Sequence, residues 1–265
     1  MRCIAWRSGG SVVRDRLRHL PVAVAFLTRI PVRHGAITSW GHVAAWFAVA
    51  GLIPGSISAA VYAGLLQLLA PLPSAVLAVG AGVAVTGAFH HDGLADSMDG
   101  LVGGWTREQR LEILKDSRHG TYGVMVLVVQ VAAQVSLVSS MDAGDAAVAL
   151  IAAHVLGRAA SVVLTQVGES ASDGLGGHYV RDVTGTDAAL AVVSGTLLCA
   201  PLLGGWLAVV LPAAVATALL FGWWAMRKIG GLVGDVLGGA EQVAETAVLA
   251  CCAAIAGAGA IAWWM

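Results

Sequence analysis

Three of the 16 acidic residues fall within eight positions, in the run His90-His91-Asp92-Gly93-Leu94-Ala95-Asp96-Ser97-Met98-Asp99-Gly100. Positions i, i+4 and i+7 of a helix share one face. Asp92, Asp96 and Asp99 would therefore form a single acidic stripe. Like charges at that spacing repel one another, and a divalent cation is the simplest compensation. Oxygen-only ligands suit Mg²⁺ or Mn²⁺ rather than zinc. A solvated helix end would surround its aspartates with Glu and Lys in i,i+4 pairs. Here the neighbours are Gly, Leu, Ala, Ser and Met, which favours the cation. His90 and His91 read first as interface histidines bonded to backbone or lipid, and only second as ligands.

The next polar stretch, Arg107 to Gly123, repeats Arg107, Leu111 and Lys115 at helical spacing. It predicts a surface helix ending near Gly120. Lys115 and Arg118 beside a metal suit phosphate oxygens, although a basic membrane loop would carry such residues anyway. Asp116 reads as a fourth acidic ligand or as the group that orients Arg118. A second constellation spans Gly230 to Glu245. Its glycines let backbone N–H groups approach a phosphate, and glycine also serves membrane-helix packing. It contains Asp235, and Glu241 and Glu245 share a helical face. Together with the first cluster it suggests a second metal position or a catalytic base. The stretch Glu169 to Asp187, with Arg181, reads equally as a cover over a substrate and as a polar connector.

What must hold these groups is a membrane. Hydrophobic residues make up 58% of the 265-residue chain and charged residues 12%, against about 25% charged in soluble domains. So few charges could not cover a soluble surface of this size. The 34 glycines fit close helix packing in lipid. A net charge of −1 suggests no nucleic-acid partner, and the four cysteines show neither metal spacing nor a disulfide framework. The basic N-terminus followed by Pro21 to Leu27 does not read as a signal peptide, because Arg29 and Arg33 follow at once.

A crossing helix needs about 20 apolar residues. The sequence predicts an all-α polytopic protein with seven spans, at 42–66, 74–91, 121–140, 146–166, 188–203, 206–226 and 246–264. If the chain does not turn at Gly204-Gly205, the count is six. Leu20 to Val32 is too short to span, and Arg14, Arg16 and Arg18 beside it read first as lipid anchors and second as groups for an anionic substrate. Arginines crowd residues 1–33, and Arg107, Arg110, Lys115, Arg118, Arg181, Arg227 and Lys228 fill alternate loops. The positive-inside rule then places the N-terminal segment and the acidic motifs in the cytoplasm. One membrane domain over 1–265 is expected, with 1–33 an interfacial segment.

Four motifs in order resemble the cobalamin synthase family, also called adenosylcobinamide-GDP ribazoletransferase. They are Phe26-Leu27-Thr28-Arg29-Ile30-Pro31-Val32, Asp92-Gly93-Leu94-Ala95-Asp96-x-x-Asp99-Gly100, Lys115-Asp116-Ser117-Arg118-x-Gly120-x-x-Gly123 and Gly234-Asp235-x-Leu237-Gly238. They span most of the chain. The resemblance implies a Mg²⁺-dependent enzyme of the cytoplasmic (inner) membrane. It implies that adenosylcobinamide-GDP and α-ribazole, or its 5′-phosphate, are joined to give adenosylcobalamin, or its 5′-phosphate, and GMP. It further implies metal binding by Asp92, Asp96 and Asp99, and phosphate binding by Lys115 and Arg118. Substrate contacts at Arg29, Arg181, Gly234 and Gly238 are expected. Asp235, Glu241 or Glu245 would hold a second metal or take a proton. Partners beyond the substrates and the bilayer would be a second copy or other enzymes of the corrinoid pathway. His91 and Val233 depart from the family's usual apolar residue and threonine, and Gly239 from a frequent alanine.

Two rivals fit less well. A CDP-alcohol phosphotransferase of lipid synthesis carries Ala-Arg three residues after Asp-Gly, whereas Asp92-Gly93 is followed by Leu94-Ala95-Asp96. A transporter with acids on its ion path expects them at mid-membrane, whereas these are expected at span ends.

Overall fold

The computed structural model describes residues 16–116 and 118–259. Arg2, Arg7, Arg14, Cys3, Ser117 and the last residues of the expected 246–264 span lie outside the described residues. Helices dominate, and the described residues contain no strand, only one isolated bridge between Ser170 and Leu232. In chain order the helices are α1 (Leu20–Leu27), α2 (Trp40–Ala44), α3 (Phe47–Leu65), α4 (Pro71–Thr86), α5 (Phe89–Gly103), α6 (Arg107–Ile113), α7 (Thr121–Ser139), α8 (Ala143–Leu164), α9 (Leu175–Asp182), α10 (Gly185–Leu203), α11 (Leu207–Ile229) and α12 (Gly234–Gly259).

The helix starts follow from local chemistry. Pro71 opens α4 where a missing N–H costs nothing. Thr106 and Gln109 form a capping box on α6, as Thr184 and Asp187 do on α10. Asp142 caps α8 through the amide of Asp145. α8 is the centre of the bundle. It packs on α3, α10, α11 and α12, and most of its residues are buried. Outward-facing Val124, Met125, Val128 and Val129 on α7, and Val193 and Leu197 on α10, are exposed apolar side chains, as a lipid-facing surface requires.

Five helical runs are long and apolar enough to cross a membrane, six if α4 and α5 together count as one broken span. The seven expected spans exceed this by one. The difference lies in the run Gly185–Ile229, which at 45 residues would be about 67 Å long if straight. Both of its ends meet the same short segment. Gln166 donates to the carbonyl of Val183, and Gly168 sits against Met226 and Leu232. The run therefore doubles back, and it does so at Gly204, whose φ of 53° and ψ of −132° suit glycine alone.

Three sequence expectations change. The expected span 74–91 stops at Thr86. Gly87 and Ala88 both adopt left-handed φ, and α5 leaves at 90° to α4. The last helix begins at Gly234 rather than at 246, so most of the glycine-rich constellation belongs to it. Its polar residues lower the local hydropathy, but they face protein rather than lipid, where their cost is met by partners. Arg16, read as a lipid anchor, instead pairs with Asp187 at 2.8 Å, tying the N-terminal segment to the start of α10.

Candidate active site

The 90° bend puts α5 across one end of the bundle, and α5 crosses α12 at two glycines. A Cβ on Gly93 would lie 2.9 Å from the carbonyl oxygen of Asp235, whereas one on Gly238 would lie at 3.4 Å or more from its neighbours. This close approach brings the aspartates of α5 to the first turn of α12. Asp92 and Asp235 line one cavity, and Asp92 and Asp96 both act electrostatically on Asp235. Gly234 is exposed at the N-terminus of α12, where free backbone N–H groups and the helix dipole favour an anion.

The expected stripe divides along its length. Asp92 is exposed, Asp96 is largely covered and Asp99 is buried. Asp99 is occupied with the backbone. Its two oxygens accept the N–H groups of Gly120 at 2.6 Å and Gly123 at 2.8 Å, which caps α7. The third member of the cluster is instead His119. Its Nε2 lies 3.5 Å from Asp92 and its Nδ1 3.3 Å from Asp96, and one ligand atom from each of the three falls within 4.8 Å of the others. Sequence reasoning missed His119 because it occupies the unassigned position of the Lys-Asp-Ser-Arg-x-Gly motif. Its neighbour Gly120, held by Asp99, places it over α5.

Two carboxylates fit Mg²⁺, which is usually held by one or two carboxylates with water and substrate phosphate filling the remaining positions. Asp92 and Asp96 are such a pair, and His119 can hydrogen-bond a carboxylate or a water beside them. Asp116 is not part of this group. Its carboxylate accepts three bonds from Arg118, Nε to Oδ1 at 3.0 Å, Nη2 to Oδ2 at 2.6 Å and the backbone N–H to Oδ1 at 3.1 Å. Those bonds hold its carboxyl down at about 2, so the pair stays ionised at any ordinary pH. Asp116 thus holds the Arg118 side chain in this structure. Arg118 and Lys115 are exposed in the same connection that carries His119. Arg29 is exposed and lies across Gly87 at the bend, anchored by its own N–H to the carbonyl of Val85 at 2.7 Å. Arg181 is half-exposed on α9 and reaches Ser172 and Asp173.

Glu241 and Glu245 lie elsewhere. They are six and ten residues beyond Asp235 on α12, about 9 and 15 Å further into the bundle. Both are fully buried. Arg158 Nη1 sits 2.9 Å from a carboxylate oxygen of each, and His154 bonds Glu245. Gln242 donates to both carboxylates at 2.9 and 3.0 Å. The expectation of acids confined to span ends therefore fails for this pair. His154 and Arg158, four residues apart on one face of an apolar helix, were the available signal, because intramembrane ionisable residues rarely lack a partner. His90 joins the two regions, lining the cavity with Asp92 while its Nδ1 lies 3.5 Å from Glu241.

The cavity holds about 220 Å³. Its walls are Phe26, Trp40, Phe47, Phe89 and Tyr179, and its rim carries Asp92 and Asp235. The stretch Glu169 to Asp187 closes one side. Ala171 donates to Leu232 at 2.8 Å and Leu232 to Glu169 at 2.7 Å, which sets Leu175, Gly176 and Tyr179 over the start of α12.

Fold and site define a polytopic, all-α membrane protein with a carboxylate centre suited to a divalent cation and a phosphate group. A family model described as cobalamin-5-phosphate synthase matches residues 19–253. Curated relatives named adenosylcobinamide-GDP ribazoletransferase include proteins of Shewanella pealeana, Vibrio cholerae and Bradyrhizobium diazoefficiens. The first is 36% identical over 84% of this chain and 90% of its own length. The second is 35% identical over 89% and 93%, and the third 37% over 93% and 97%. No solved structure matches the chain. The chain belongs to the cobalamin-5-phosphate synthase family, and it is a transferase of cobalamin biosynthesis.

Proposed function

We propose that this chain joins adenosylcobinamide-GDP to α-ribazole, or to α-ribazole 5′-phosphate, by metal-dependent phosphoryl transfer. The ribose 3′-hydroxyl oxygen forms a bond to the phosphorus on the cobinamide side. The bond from that phosphorus to the bridging oxygen breaks, GMP leaves with the electron pair, and the hydroxyl proton goes to a base. The carrying observation is that Asp92 belongs both to a cluster with Asp96 and His119 and, with Asp235, to the lining of one cavity.

Asp92 and Asp96 would hold Mg²⁺, which when bound neutralises charge on the diphosphate oxygens. His119 keeps both carboxylates turned toward one another. Asp235, at the rim of the cavity, is placed to take the hydroxyl proton. The N–H groups at the start of α12 and the exposed Arg118 and Lys115 receive phosphate oxygens. Arg29 and Arg181 flank this end of the bundle and attract the anionic donor.

Every described Lys and Arg except Arg158 lies at this end, while the connections at the other end carry Asp142. By the positive-inside rule this end faces the cytoplasm of a bacterial inner membrane. The nucleotide substrates are then on the site's own side.

The test is turnover by purified protein in detergent, given adenosylcobinamide-GDP, α-ribazole and Mg²⁺, with corrinoid product and GMP both quantified. Asp96→Asn is expected to lower turnover at limiting Mg²⁺ at least tenfold, with partial recovery at high Mg²⁺. Wild-type turnover by this variant at limiting Mg²⁺ removes Asp96 from the metal. Absence of product from folded wild-type protein rejects the reaction.

A further inference from the structure

The cluster on α5 has a mixed donor set. Asp92 and Asp96 offer carboxylate oxygen, and His119 offers imidazole nitrogen. The third aspartate of the stripe is withdrawn, because Asp99 gives its oxygens to the amides of Gly120 and Gly123. The same two bonds fix the chain on the C-terminal side of His119. Its ring is thereby held against the two remaining carboxylates. Nδ1 lies 3.3 Å from an oxygen of Asp96, and Nε2 lies 3.5 Å from an oxygen of Asp92.

These separations are near those of ligands that share one ion. Metal bonds of about 2.1 Å at right angles put neighbouring ligand atoms about 3 Å apart. One atom from each of the three residues falls within 4.8 Å of the others. The Asp92 and His119 side chains are 62% and 39% exposed, so side-chain rotation closes the remaining gap without moving backbone. One ring nitrogen then binds the ion. The other donates to a carboxylate oxygen, the usual way a ligating imidazole is oriented. Charge favours the same assignment. Imidazole ligates in its neutral form. Two carboxylates and a neutral ring balance a dication, whereas three carboxylates would leave excess negative charge facing an anionic diphosphate.

Nitrogen also changes which ion is preferred. Mg²⁺ is hard and takes oxygen, whereas imidazole suits first-row transition ions. Mn²⁺ takes carboxylate oxygen as Mg²⁺ does and, as a transition ion, also takes imidazole. We propose that His119 is a direct metal ligand of this centre and shifts its preference from Mg²⁺ toward Mn²⁺. This rests on the proposed metal role of Asp92 and Asp96, and it makes His119 a ligand rather than only a brace between them.

The test uses full-length protein in nanodiscs and the metals alone. Mn²⁺ binding is read by electron paramagnetic resonance, Mg²⁺ binding by displacement of Mn²⁺, and a directly coordinated nitrogen by spin-echo modulation of the bound Mn²⁺. His119→Gln replaces the imidazole with an amide in an exposed connection. Nitrogen coupling is expected in the wild type and should vanish in this variant. The Kd for Mn²⁺ should rise about tenfold or more, and that for Mg²⁺ less than about threefold. Equal weakening of both metals would mean that His119 only positions the carboxylates, and it overturns the proposal. So does wild-type Mn²⁺ without nitrogen coupling, or coupling that survives in His119→Gln. Asp96→Asn separates the two readings. Mn²⁺ binding lost in Asp96→Asn but unchanged in His119→Gln keeps the carboxylate centre and strikes the nitrogen ligand. Mn²⁺ binding unchanged in Asp96→Asn removes that carboxylate from the centre and defeats both.

Discussion

Replacing Asp99 separates the two roles that its position allows. Sequence spacing assigns it to the metal, whereas its oxygens are spent on the amides of Gly120 and Gly123. Asp99→Ala removes two charge-assisted hydrogen bonds of about 1.5–3 kcal/mol each. Gly120 is exposed, so water can take over its N–H, while Gly123 is buried and its N–H stays unpaired. A net loss of about 2–4 kcal/mol follows. Asp99→Asn should do little better, since its one carbonyl oxygen serves one N–H and its amide group opposes the other. Asp96→Asn should leave stability unchanged or raised, because it relieves repulsion with Asp92. The assay pairs thermal unfolding in detergent with activity titrated against Mg²⁺. Asp99→Ala should unfold several degrees earlier, with half-saturating Mg²⁺ moved less than threefold in the folded protein. Unchanged unfolding with a tenfold higher Mg²⁺ requirement would show that Asp99 is a ligand and that the capping account is wrong.

The α5–α12 crossing predicts opposite outcomes for two similar substitutions. Gly93→Ala forces its Cβ against the Asp235 carbonyl and should cut turnover at least tenfold, whereas Gly238→Ala meets only ordinary contacts and should stay within about threefold. The buried Arg158 should resist change. Arg158→Met leaves Glu241 and Glu245 facing each other without a cation and should cost about 3–5 kcal/mol, read as lost expression of folded protein. Adding Glu241→Gln and Glu245→Gln to Arg158→Met should recover most of it, and failure to recover would refute the ion-pair account.

Most of the membrane architecture was legible in the sequence, because hydropathy acts locally. A run such as Thr121–Ser139 has to be a helix in lipid wherever its neighbours lie, since no other backbone conformation satisfies its own hydrogen bonds there. The grouping of Asp92, Asp96, Lys115, Arg118 and Asp235 toward one end of the chain's spans was legible for a related reason. Charged groups are costly beside a bilayer, so their clustering is informative. Tertiary structure alone decided which of them meet. Two consecutive left-handed residues, Gly87 and Ala88, turn α5 through 90°. Composition cannot distinguish that bend from a helix that continues to residue 91. The bend carries Asp99 to the amides of α7 and brings His119 to Asp92 and Asp96, although those residues are more than 20 positions apart. The aromatic walls come from α1, α2, α3, α5 and α9, five elements with no shared local pattern. Burial against protein rather than lipid also decided where Glu241 and Glu245 sit, because hydropathy records a side chain's cost in hydrocarbon and is blind to a partner such as Arg158 supplied by another helix.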